Sequence, residues 1–330
     1  MSADVLIVPD CGQDASSPVV CELITAARQL ARGSQDHVGV LVLGEAAPAP
    51  DAWAARGVDR IYFARGDCSA LLPETQLDAA TEAVRRALPA IVLLPHAVAA
   101  AELAPRLAFR LDGAVATGCV DVSIEGNSVR CTRPCYGGLA RELDEFAVAP
   151  VVATVRAGVF ERAQAQPSRR AELIDIGPFE NHTARTKRVD RRIEAASGAR
   201  LEDAAVIVAG GRGLEGPEGF DLLADLAREL GGAVGASRVP CDLGWCPHSW
   251  QIGLTGKTVT PELYIAVGIS GAGHHMAGCG NARAIVAINS DPEAAIFEDA
   301  RFGVVGDYRE IVPALIAQLR TLNDVSSGKL

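Results

Sequence analysis

Short apolar runs alternate along the chain with longer stretches in which apolar residues recur every three or four positions. Residues 5–8 (VLIV) form a run closed by Pro9–Asp10, and residues 19–32 carry helical spacing up to Gly33. Further runs at 38–43, 60–63 and 90–94 and helical stretches at 75–88 and 98–109 repeat the alternation. Strands that alternate with helices predict parallel pairing in a doubly wound sheet. Residues 114–124, 128–132 and 148–155 are strand-rich and read as the completion of the same domain.

The pattern then breaks. Residues 161–200 are crowded with charge and hold few large apolar groups, which predicts an exit from the first domain and a tether. Small residues around Gly198, in 195–199, mark the crossing, so the domains are read as 1–196 and 197–330. The alternation restarts with a strand at 205–208 and a helix over 217–230, with Pro near its start and Gly past its end. A short run around Val234, strands at 264–267, 284–288 and 303–305, and a helix over 308–322 follow. The fold class is α/β throughout: a doubly wound N-terminal domain, then a parallel-sheet, Rossmann-like C-terminal domain.

Composition narrows the classes of function. The chain has 330 residues, 49% hydrophobic and 22% charged, as expected of a globular protein with sizeable cores. A formal net charge of −10 argues against general nucleic-acid binding and permits docking to basic patches on protein partners. No apolar run is long enough to span a bilayer, and the chain enters its first strand without a basic leader, so a cytoplasmic location is expected. The nine cysteines include no CxxC pair. Cys131 with Cys135, and Cys241 with Cys246 and His248, fit no standard metal spacing, so reduced cysteines and no metal are expected.

Candidate chemistry concentrates in residues 251–275, QIGLTGKTVTPELYIAVGISGAGHH. Glycine-punctuated loops stand on either side of one buried strand, 264–267. Glycine allows positive φ and close approach of the main chain to a ligand, so the two loops would make a cradle of N–H donors for a phosphate or a ring carbonyl. Gly211-x-Gly213-x-x-Gly216 matches a dinucleotide fingerprint between a strand and a helix, yet no acidic residue ends a second strand about 20 residues on. A phosphate loop and a plain strand–helix turn both remain open there. Residues 253–258 end like a P-loop, but Gln251 stands where its first Gly belongs. His274–His275 lacks a carboxylate or Cys to complete a metal set, which leaves a hydrogen-bonding, charge-supplying histidine or a plain structural one. Asn289 and Asp307 each follow an apolar strand, where open α/β sheets bind ligands. No Ser-His-Asp or paired-carboxylate arrangement is evident.

Taken together, these residues resemble the alpha subunit of electron transfer flavoproteins. The resemblance is dense over 205–315, through GGRGL (210–214), GASR (235–238), QIGLTGK (251–257), PELYIAVGISGA (261–272), IVAINSDPEAAIF (285–297) and the Gly306–Asp307 turn. It is looser in the first half, at APRLAFRLD (104–112), RPCYGGLA (133–140) and Thr154–Arg156.

The resemblance implies an N-terminal domain that pairs with a beta subunit and a C-terminal domain that binds FAD. It places Arg212, Ser237, Ile252, Gly253, Leu254 and Thr255 around the cofactor, with Ser270, Gly271, Ala272, Gly273, His274 and His275. Asn289, Asp307 and Tyr308 complete the set. Arg238 would lie over the isoalloxazine ring, Thr255 would face its N5 region and His275 its pyrimidine carbonyl. A cation about 4 Å from developing negative charge contributes up to about 4 kcal/mol at an effective dielectric near 20, or about 170 mV for one electron. Arg238 would supply that charge at every pH, and His275 only when protonated, so an anionic flavin semiquinone is expected.

The implied role is an electron carrier without substrate chemistry of its own, between a flavin dehydrogenase and a membrane quinone oxidoreductase. Leu254, Gly273 and His274 depart from the family pattern of Gln and Ile-Gln, which points to an amine or N-methyl-amine dehydrogenase as donor rather than an acyl-CoA dehydrogenase. The alternatives are a nicotinamide-dependent dehydrogenase built on Gly211–Gly216, and a non-redox scaffold of the same fold.

Overall fold

The computed structural model describes residues 4–33, 35–68, 71–136, 140–166, 170–179, 185–187, 189–190 and 201–326. The chain forms two compact units, Met1–Arg192 and Ile193–Leu330. The expected crossing at 195–199, Gly198 included, and residues 137–139 of the RPCYGGLA segment lie outside the described residues.

In the first unit the elements are β1 (Val5–Ile7), α1 (Pro18–Leu30), β2 (Val38–Gly44), α2 (Pro50–Arg56), β3 (Arg60–Arg65), α3 (Pro73–Ala87), β4 (Ile91–Pro95) and α4 (Val98–Arg110). There follow β5 (Ala114–Cys119), β6 (Asp121–Glu125), β7 (Ser128–Cys135), β8 (Ala140–Phe146), β9 (Val151–Val155) and β10 (Glu172–Pro178). Seven strands pair in parallel in the order β10-β3-β2-β1-β4-β9-β5. The apolar runs are continuous because both faces of the sheet are covered. Val5, Ile7, Ile91 and Leu93 pack with α1 and Trp53 of α2, whereas Leu6, Val8, Val92 and Leu94 pack with α3 and α4. Successive side chains thus feed opposite cores, the period of two that a strand imposes.

The strand-rich middle lies within the first unit, where β6, β7 and β8 form a separate antiparallel sheet. One expectation is corrected here. The charged stretch read as a tether contains β10, which pairs in parallel with β3 at the edge of the large sheet. An edge strand buries only part of one face, so its apolar signal is thin: Ile174 and Ile176 pack inward while Leu173 stays exposed.

In the second unit the order is β11 (Val206–Gly210), α5 (Glu218–Glu229), β12 (Ala233–Ala236), α6 (Arg238–Asp242), β13 (Leu263–Val267), α7 (Gly273–Cys279), β14 (Ile285–Asn289), α8 (Ile296–Asp299), β15 (Phe302–Val305) and α9 (Tyr308–Ser326). The five strands are parallel, in the order β12-β11-β13-β14-β15. Val208, Ile265 and Ile288 pack against α5 and α9, and Ile207, Tyr264 and Ala287 against α7 and α8 on the other face. Chain direction across the sheet reverses between β11 and β13. This is the switch point at whose carboxyl edge such sheets bind ligands. Among the described residues no helix is long and apolar enough to cross a membrane.

Candidate functional site

At that carboxyl edge the second unit holds an open cleft of about 850 Å³. Every strand end from β11 to β14 reaches it: Arg212 follows β11, Ser237 follows β12, Ile269 and Ser270 follow β13, and Asn289 ends β14. Arg238 lines it from the first position of α6, and Ile252–Thr255, Ala272, His274 and His275 complete the predicted residues on its wall. Gly271, Gly273, Asp307 and Tyr308 are not on the wall. The Tyr308 ring lies in the core and its hydroxyl donates to the Leu214 carbonyl at 3.0 Å. Asp307 Oδ1 accepts from the Arg309 N–H at 2.8 Å. Gly271 serves packing, since at φ +85° a Cβ there would stand 2.2 Å from the Ile296 nitrogen.

The glycines of the fingerprint at 211–216 have a different use from a phosphate loop. The Gly211 N–H donates to the Val267 carbonyl and the Gly213 N–H to the Gly268 carbonyl, both at 2.9 Å. A Cβ on Gly211 would lie 2.1 Å from the Gly268 oxygen. These glycines let the β11 and β13 loops touch, and a 3-10 turn, Arg212–Leu214, intervenes before α5. Arg212 is the part of the loop that faces the cleft.

The loop after Trp250 keeps only part of the expected N–H cradle. Most of its donors, the Thr255 N–H apart, are spent within the protein: Ile252 N–H on Ala236 O, Gly253 N–H on Lys257 O, Leu254 N–H on His274 O and Lys257 N–H on Gln251 O. Lys257 pairs with Glu202 at 3.1 Å, and a phosphate role is not its task. The loop therefore offers side chains, Leu254 and Thr255, on a closed frame. The loop after β13 differs. Its carbonyls at Gly268, Ile269 and Ser270 accept bonds from Gly213, Asn289 and Ile296. In the first turn of α7, the Gly273 and His274 N–H groups have no intrahelical carbonyl to bond.

His275 is buried, and both ring nitrogens are engaged. Nδ1 lies 3.1 Å from the Ile252 carbonyl, which can only accept, so Nδ1 carries the proton. Nε2 then accepts from the Tyr264 hydroxyl at 3.0 Å. Burial pushes the imidazole down to about 4, so it is neutral at pH 7. The charge and hydrogen bond that the resemblance implies from His275 to a pyrimidine carbonyl thus do not come from this ring. It instead ties β13, the 251–257 loop and α7 together. The Tyr264 partner lies eleven positions back, and only the strand's placement brings it there.

The cations remain available. Arg238 is mostly exposed and pairs with Asp242 one helical turn on, at 3.0 Å. Gln251, which the sequence did not mark as a site residue, is buried behind Thr255 and donates from Nε2 to Thr255 Oγ1 at 2.9 Å. Its signal was only its place at the head of the QIGLTGK segment. The carboxylates on the wall are engaged: Glu215 pairs with Arg309 at 2.8 Å, and Asp291 Oδ1 accepts from the Glu293 N–H at 3.0 Å. The cleft's size falls within the ordinary range for ligand sites, and its cations and hydroxyls suit a phosphate-bearing, elongated cofactor.

Comparison with known proteins gives this cleft its context. A family described as "Electron transfer flavoprotein FAD-binding domain" matches residues 200–280, and one described as "Electron transfer flavoprotein domain" matches residues 5–178. The chain is 36% identical over 329 residues to the electron transfer flavoprotein subunit alpha of Bacillus subtilis, covering 98% of this chain and 99% of that protein. It is 38% identical over 320 residues to the subunit alpha of Mycobacterium leprae, covering 95% and 97%. Protein FixB of Clostridium saccharobutylicum is 33% identical over 309 residues, covering 92% of each chain. With FAD as the cofactor of its second unit, the chain belongs to the electron transfer flavoprotein alpha-subunit family.

Proposed function

We propose that this chain is the FAD-carrying subunit of a heterodimer with a beta subunit, and that it acts as an electron carrier rather than an enzyme. The observation that carries this reading is the cleft wall. It offers Arg212, Arg238 and the hydroxyls of Ser237, Thr255 and Ser270, while its buried imidazole is committed on both nitrogens. Such a wall is suited to binding a cofactor and tuning its charge. Bound FAD would supply one-electron transfer, taking up negative charge on its ring system. Arg238 would hold that charge, weakened by Asp242, and Arg212 would receive phosphate.

The reading extends to partners. The donor is a flavin dehydrogenase of the amine or N-methyl-amine type, because exposed Leu254 and His274 stand on the wall where the family pattern has Gln. The acceptor is a quinone oxidoreductase, and the site of action is the cytoplasm. The first test is a visible spectrum of the chain co-expressed with its beta subunit, followed through stepwise reduction. Flavin bands that bleach in two one-electron stages are expected. A colourless heterodimer that takes up no added FAD would overturn the reading. Faster reduction by an acyl-CoA dehydrogenase than by an amine dehydrogenase would overturn the donor assignment alone.

A further inference from the structure

Gln251 has a role toward the cleft that neither the fold nor the cofactor demands. Its side chain is buried, whereas Thr255, four residues on, is exposed at the cleft. The frame around the pair is fixed at both ends by the main-chain bonds Ile252 N–H to Ala236 O at 2.9 Å and Lys257 N–H to Gln251 O at 2.8 Å. Gly256 closes over the glutamine stem. A Cβ there would stand 2.4 Å from the Gln251 carbonyl oxygen and 2.9 Å from its Cγ. The amide is thus held where Nε2 reaches Thr255 Oγ1 at 2.9 Å.

A hydroxyl has one hydrogen and two lone pairs. Once an amide N–H occupies a lone pair of Oγ1, the hydroxyl's own hydrogen turns away from Gln251. We infer that Gln251 is a positioning residue: by donating to Thr255 it commits the Thr255 hydroxyl to act as a hydrogen-bond donor into the cleft. A flavin ring atom that gains negative charge on reduction then meets a fixed donor rather than a rotor that is free to present a lone pair. The bond strengthens as that charge develops, so the pair favours uptake of an electron. This role rests on the proposed placement of the flavin ring beside Thr255.

The test is a double-mutant cycle in the FAD-loaded heterodimer, with Gln251→Met, Thr255→Val and both together. Two quantities are read: FAD bound per heterodimer and the one-electron reduction potential. Gln251→Met is expected to keep FAD and to reduce the equilibrium constant for uptake of the first electron about fivefold, or about 40 mV. Thr255→Val is expected to do at least as much, and the double variant no more than Thr255→Val. An effect of Gln251→Met that adds in full to that of Thr255→Val, or no effect at all, overturns the inference. If Gln251→Met fails to fold, Gln251→Glu keeps the shape and exchanges the donor for an acceptor that draws the threonine hydrogen back. Its drop in potential should then be larger with Thr255 present than with valine, and equal drops overturn the inference. A wild-type heterodimer that binds no FAD overturns the proposed function, and this role with it.

Discussion

At the scale of single residues, His275 shows how burial removes a charge that the sequence alone implies. An unfolded chain protonates this histidine around its ordinary 6.5, and the folded protein only around 4. Between those values the unfolded state holds a proton that the native state does not. Stability is therefore full above about pH 6.5 and falls as pH drops toward 4, by at most about 1.4 kcal/mol per pH unit from this group. Denaturation of the second unit at several pH values should show the slope, and His275→Gln should flatten it. Equal slopes in both proteins would show that His275 does not titrate in this way. Arg238 makes the complementary case, since its guanidinium keeps its proton but shares its charge with Asp242. Arg238→Ala is expected to lower the flavin's one-electron potential and Asp242→Asn to raise it, each by less than about 170 mV. Unchanged potentials in redox titration would remove Arg238 from the ring. The sequence made twelve of the cleft-lining residues readable through their motifs. It could not show which polar atoms were already engaged, because the partners of His275 and Thr255 are set by the frame of the 251–257 loop and by the placement of β13.

At the scale of elements, the loops after β11 and β13 behave as one body. Gly211→Ala would drive a Cβ against the backbone of Gly268, where no side chain can move aside. The expected cost is about 1–3 kcal/mol of stability, with weaker FAD retention, read by calorimetry and by flavin content after gel filtration. Gly273→Ala is the control. A Cβ there meets nothing within 4 Å, and FAD retention after that substitution should stay close to wild type if the position lies off the wall as observed. The same contrast explains which elements were legible beforehand. Strands β1, β2, β4, β11 and β13 are covered on both faces and announce themselves as apolar runs. β8 escaped notice because its side chains are largely exposed and charged, with Glu142 and Asp144 paired to Arg133 at 2.8 and 3.2 Å. The short helices α6, α7 and α8 span too few residues to build a period of 3.6.

At the scale of the whole molecule, each unit has cores on both faces of its own parallel sheet. FAD binds the second unit alone in the proposed reading, so its stabilisation belongs there. In scanning calorimetry of the heterodimer, added FAD should raise the transition of the second unit, by about 2.7 kcal/mol at a free concentration one hundred times the dissociation constant. A uniform shift of all transitions would show that the units unfold together. The pairing of β10 with β3 has a further consequence, for synthesis. Residues 172–178 complete a sheet whose β3 neighbour was made more than a hundred residues earlier. On the ribosome the hydrogen-bonding edge of β3 stays open until residue 178 leaves the exit tunnel, so a nascent chain stalled before that point presents an unpaired strand to chaperones and to other nascent chains.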